Sequence, residues 1–151
     1  MSFNSNAQTP LSAAEMFAFR LLPGQDLKTE IEKKVKENNW KAVAIVSCVW
    51  SLESASIRFA NQKVANKIPG SLEIVSLTGT LGSGGTHIHI SVSDYTGKTT
   101  GGHLMPGCPV YTTAEIVLAV LKNVVFERET DPTYGFKELV VKPETKWNLA
   151  V

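Results

Sequence analysis

Cysteine is scarce in this chain, with Cys48 inside an apolar run and Cys108 in a Pro-Gly-Cys-Pro loop. Two such thiols do not make the framework of a disulfide-stapled secreted domain, so a reduced intracellular chain is the reading. No Asn-x-Ser/Thr sequon is present, which agrees. An excess of charge of one sign is missing too: 15 Lys and Arg face 14 Asp and Glu, for a net charge of +1. Bulk electrostatic attraction to nucleic acid or an anionic membrane is therefore not built in. The densest basic group, Lys33, Lys34 and Lys36, is interleaved with Glu30, Glu32 and Glu37, which is the pattern of a solvated helix face. No apolar run reaches the roughly 20 residues of a membrane span. The N-terminus has neither the basic start nor the apolar core of a signal peptide. The expectation is a cytoplasmic protein, with the nucleus left open and no membrane partner. Nor is Gly82-Ser83-Gly84-Gly85 a phosphate loop, because no lysine follows it and it opens no recognisable helix. A flexible lid or a close backbone approach suits that cluster better.

What is present fits one domain: 151 residues, 43% hydrophobic and 19% charged, enough for a core without staples. Residues 1–13 are small and polar and read as a flexible arm, 14–143 as the domain, and 144–151 as a tail. A strand is expected over residues 15–22, ended by Pro23-Gly24. Asp26 then caps a helix whose apolar stripe is Leu27, Ile31 and Val35. The continuous run Ala42–Trp50 reads as a buried strand, Ser51–Ser54 as a turn, and Ala55–Ala60 as the returning strand. Residues 61–69 read as a loop, followed by strands over Leu72–Thr80, 86–93, Thr112–Leu121, Val124–Arg128 and Lys137–Val141. The fold class is α+β: a single domain with a largely antiparallel sheet of about eight strands and one or two packed helices.

Every histidine in the chain lies in one stretch, Thr86-His87-Ile88-His89-Ile90-Ser91-Val92-Ser93-Asp94-Tyr95-Thr96-Gly97-Lys98, continued by Thr99-Thr100-Gly101-Gly102-His103-Leu104. On a strand, His87 and His89 share a face, their Cα atoms about 7 Å apart at ~3.3 Å per residue. Gly97 suits a three-residue loop closed by Asp94 and Lys98. That register sets His89 opposite His103 on the same face, whereas a slip of one residue would turn His103 away. Three converging imidazoles suit a borderline-soft divalent ion, zinc first, with a coordination position left open. The alternative is a set of hydrogen-bonded strand histidines without metal. Gly101 and Gly102, inside a strand, mark a bulge or intimate packing.

Several ordered motifs resemble the plant-and-prokaryote conserved domain, also known as PPC or DUF296. They are Gly70-Ser71-Leu72-Glu73-Ile74-Val75-Ser76-Leu77-Thr78-Gly79-Thr80, the histidine strand, Gly101-Gly102-His103-Leu104 and Thr112-Thr113-Ala114-Glu115. The resemblance runs from about Arg20 through Val141. It implies an α+β fold assembled as a homotrimer. Plant members carry the domain behind DNA-binding AT-hooks, but no Arg-Gly-Arg-Pro core occurs here. Ser71 and Leu72 also replace the Arg and Phe of the plant partner-recognition signature, while Glu73 and Ile74 match it. The fold is similar to that of acetolactate decarboxylase, where a His-x-His and a later His hold zinc. His87, His89 and His103 follow that order.

Three functions compete. The first is a metal-dependent enzyme or binder of an unidentified small molecule, with Arg20 holding a carboxylate, Glu115 acting as acid or base, and Cys108 as a candidate fourth ligand. For Arg20 and Glu115 the competing reading is an exposed or ion-paired surface charge, and for Cys108 a plain loop cysteine. The second is a non-catalytic trimeric interaction module, to which the excess of apolar strands and the in-strand glycines point. The third and weakest is a DNA-binding protein, for which neither a basic stripe nor a reading helix is visible.

Overall fold

The computed structural model describes residues 11–144, so most of the expected arm and tail lies outside the described residues. Eight strands and one helix follow in the order β1 (Ala14–Leu21), α1 (Leu27–Glu37), β2 (Ala42–Arg58), β3 (Asn66–Gly82), β4 (Gly85–Ser93), β5 (Thr99–Leu104), β6 (Val110–Leu121), β7 (Val124–Thr130) and β8 (Lys137–Pro143). All strand pairings are antiparallel. The α+β expectation stands, with a single helix among the described residues. That helix, the only one described, is too short and too polar to cross a membrane.

The helix forms for local reasons. The Asp26 side chain accepts from the Thr29 backbone N–H, Glu30 lies in the first turn, and Lys34 and Lys36 lie in the last. These charges complement the helix dipole. Leu27, Ile31 and Val35 form the buried stripe and enter the same core as the inner face of the sheet. Asn39 ends the segment in the left-handed region at φ 54°.

Six strands make one sheet in the order β1-β6-β2-β3-β4-β5, and the end of β5 also pairs with the end of β2. Ile57 stands opposite Leu104 and Arg58 opposite His103. One edge of β2 thus serves β6 along its first part and β5 at its tip, so the sheet curls back on itself. This corrects the expected turn at Ser51–Ser54 and the separate strand Ala55–Ala60: β2 runs unbroken through the turn and on to Arg58. Its ladders shift register between Ile45 and Ser47, between Trp50 and Leu52, and between Leu52 and Ser54. Trp50 takes φ 100° within that run. These irregularities bend the strand without reversing it, and Ser51 and Ser54 are buried where turn residues would face water. The expected 61–69 loop is shortened as well, because β3 begins at Asn66 and passes through Pro69 and Gly70.

The hairpin of β7 and β8 docks beside the β3–β4 turn. Phe126 N donates to Lys41 O at 3.0 Å, and Gly84 N to Phe126 O at 2.8 Å. A Cβ on Gly84 would lie 2.4 Å from Arg128 N, so only glycine permits this approach. Close backbone packing is therefore the role of the glycine cluster.

Candidate metal centre

Alternation builds the site. Along β4, Ile88, Ile90 and Val92 are buried in the core, while His87 and His89 point outward. A slip of one residue would exchange the three apolar side chains for polar ones, at about 1.5–3 kcal/mol each. The turn fixes the returning strand. Asp94 N donates to Lys98 O at 3.0 Å, Gly97 lies at φ 82°, and Asp94 Oδ1 accepts from Thr96 N and Lys98 N at 2.8 and 3.1 Å. His89 consequently pairs with His103, the register expected from a three-residue loop.

Gly102 closes the triangle from the other side. A Cβ there would lie 2.8 Å from Arg58 O and 2.9 Å from Ile57 Cγ2. The in-strand glycine thus marks intimate packing, which lets β5 reach β2 and sets His103 beside Arg58.

One nitrogen from each of the three imidazoles lies within 4.8 Å of the other two. Nε2 of His87 and Nε2 of His89 are 3.2 Å apart. Two nitrogens bound tetrahedrally at 2.0–2.1 Å from zinc would be about 3.3 Å apart, so this pair already has the spacing. His103 Nδ1 is buried and has no hydrogen-bond partner. Burial, then the positive charges of Arg58, His87 and His89, lowers the His103 pKa to about 4. His87 is also lowered, by desolvation first, then by His89 and Arg128, against an opposing pull from Glu138. Both rings therefore favour the neutral form, whose lone pair a metal requires. The donor set fits a divalent ion of the zinc type.

Two cavities flank the triangle. One, of about 440 Å³, is lined by residues including Arg58, His87, His103, Arg128, Lys137 and Glu138. The other, of about 250 Å³, is bounded by Thr78, Gly79, Thr80, His87 and His89. Arg20 and Glu115 lie elsewhere, opposite each other on β1 and β6. Glu115 neighbours Val49 of β2, whereas His103 neighbours Arg58 at the far end of that strand. Cys108 is buried, and its Sγ accepts from Ser56 N at 3.1 Å. It is a core thiol outside the histidine group. The charged groups that share a cavity with His87 and His103 are Arg58, Arg128, Lys137 and Glu138. Sequence reasoning passed over them, although two of only three arginines in a lysine-rich chain converge here.

Together these features define a class: a curled, largely antiparallel α+β domain with a three-histidine cluster on its outer face. The chain belongs to the Plants and Prokaryotes Conserved (PCC) domain family, which it matches over residues 8–122. It is 42% identical over 134 residues to a bifunctional protein GlmU of Synechococcus sp. (strain JA-2-3B'a(2-13)), covering 89% of this chain but 21% of that protein. The chain thus spans a minor part of that relative's length. A hypothetical protein from Salmonella cholerae-suis superposes with a TM-score of 0.88 at 37% identity, over 91% of this chain and 100% of that one. A protein from Archaeoglobus fulgidus described as metal-containing does so with a TM-score of 0.73 at 27% identity, over 87% and 99%.

Proposed function

We propose that His87, His89 and His103 hold one divalent metal ion, zinc by the character of the donors, in a trimer-forming domain that binds or transforms a small molecule. The convergence of three imidazole nitrogens within 4.8 Å carries this reading. The A. fulgidus relative, described as metal-containing, supports it. A bound ion supplies Lewis acidity, polarising a carbonyl or lowering the pKa of a bound water. The chain's own contribution is orientation: the core residues of β4 fix the two outward histidines, and Gly102 brings His103 to them. Glu138, which lines the cavity beside His87, takes the acid–base place first considered for Glu115.

Replacing His89 with Ala tests the proposal. His89 is exposed, so the variant should keep its circular dichroism and its sedimentation mass, with stability changed by no more than about 0.5 kcal/mol. It should lose zinc in competition with a chromophoric chelator. Wild-type zinc affinity in the variant would overturn the site.

One observation favours the interaction-module reading as a companion. Val46, Val49, Trp50 and Val75 on β2 and β3 are 46–58% exposed, an apolar patch of the sort that marks a protein contact. A subunit interface accommodates it, and it would adjoin the metal site, because the groove lined by Val46, Val49 and Val75 reaches Thr78, which pairs with His89.

A further inference from the structure

We propose that the 440 Å³ cavity beside the histidine triangle receives a small carboxylate, held by the guanidinium groups of Arg58 and Arg128, with a hydroxyl or oxo group on the adjacent carbon directed to the histidine side. This rests on the metal reading above and names the class of ligand.

Charge is the first ground. Arg58, Arg128 and Lys137 line the cavity against a single carboxylate, Glu138. Elsewhere five lysines, Lys28, Lys33, Lys34, Lys122 and Lys142, each lie within 4.0 Å of a carboxylate oxygen. Among the described residues no such pair involves Arg58 or Arg128. Their contacts are neutral instead. Arg58 Nη1 donates to Gln62 O at 3.2 Å, Arg128 Nη1 to Lys137 O at 3.4 Å, and Arg128 Nη2 to Thr80 Oγ1 at 3.1 Å. These bonds steady both side chains and leave most of their N–H donors free. A guanidinium offers five, in a fork that matches a carboxylate.

Placement is the second ground. Arg58 stands opposite His103 across β2 and β5. Arg128 is tied to Thr80, which stands opposite His87 across β3 and β4. Each arginine is thus registered to a different histidine. A carboxylate between the arginines leaves its neighbouring carbon facing the triangle. Size is the third ground. The volume falls in the range of small-molecule sites, roughly 300–1,000 Å³, and Phe136 supplies an apolar wall for a short alkyl group. The class is therefore a short 2-hydroxy or 2-oxo carboxylate.

The test uses the full-length protein loaded with cobalt(II), whose visible spectrum reports ligands at the ion. Lactate should shift that spectrum saturably. 1,2-Propanediol, the same skeleton without the carboxylate, should not shift it at equal concentration. R58Q and R128Q should keep the unliganded cobalt spectrum but bind lactate at least roughly tenfold more weakly, as loss of a charge-assisted contact requires. Cobalt uptake with no lactate response, equal binding of propanediol, tighter binding of inorganic phosphate than of lactate, or unchanged affinity in both variants would each overturn the carboxylate pocket while the metal site stands. Failure of the wild type to take up cobalt would overturn both.

Discussion

Asp26 uses one carboxylate oxygen to cap α1, accepting from Thr29 N at 3.0 Å and Thr29 Oγ1 at 2.6 Å, and the other to hold the loop before β6, accepting from Gly107 N at 2.8 Å and Cys108 N at 2.6 Å. Burial acts to raise its pKa, but the donors from Thr29, Cys108 and Gly107 together outweigh it and leave the group below its ordinary value. Folding therefore favours the charged form. That contribution is complete above the unfolded pKa of about 3.9 and is lost as pH falls through the lower folded value. Asp26→Ala should cost about 2–3 kcal/mol at neutral pH, from the lost cap and the orphaned loop donors. In urea denaturation the deficit should shrink in strongly acidic solution; a deficit independent of pH would contradict this role of the charge. The cap was legible from the spacing of Asp26 to the apolar stripe. The grip on the loop was not, because Gly107 and Cys108 lie far along the chain. Cys108 was misleading for a related reason. A Pro-Gly-Cys-Pro loop looks exposed, yet burial pushes this thiol up to about 11, against the Ser56 contact, and it packs in the core.

At the scale of elements, the histidine hairpin was readable and β2 was not. Strict alternation and a glycine at the left-handed position fix a hairpin locally, so the pairing of His89 with His103 needed no tertiary information. Bulges in β2 answer to what packs on either side of it, and Ser51 and Ser54 carry the composition of a turn into a buried bend. The closure of β5 onto β2 was equally hidden, although Gly101-Gly102 marked the place. Gly102→Val should force β5 from β2 by placing side-chain atoms against Arg58 O and Ile57. A cost of about 1–3 kcal/mol from overpacking is expected in denaturant unfolding, together with weaker zinc binding as His103 is displaced. Unchanged stability and zinc affinity would show that closure does not position the site.

For the whole molecule, the α+β class, the family and the clustering of histidines were legible, while the two arginines at the site were not. Arg58 reads as the end of an alternating strand and Arg128 as part of a terminal hairpin; only the curl of the sheet and the docking of β7 bring them together. The family resemblance implies a trimer and the apolar patch of Val46, Val49, Trp50 and Val75 offers surface for it, so sedimentation equilibrium at micromolar concentration is expected to give three times the 16.4 kDa chain mass. A single monomeric mass would contradict that assembly. The metal centre is the central claim, and metal content tests it most directly. Protein purified without a polyhistidine tag, stripped with a chelator, reloaded with zinc and freed of excess, should retain close to one zinc per chain by atomic emission. Retention near zero, equal to that of His89→Ala treated in parallel, would contradict it.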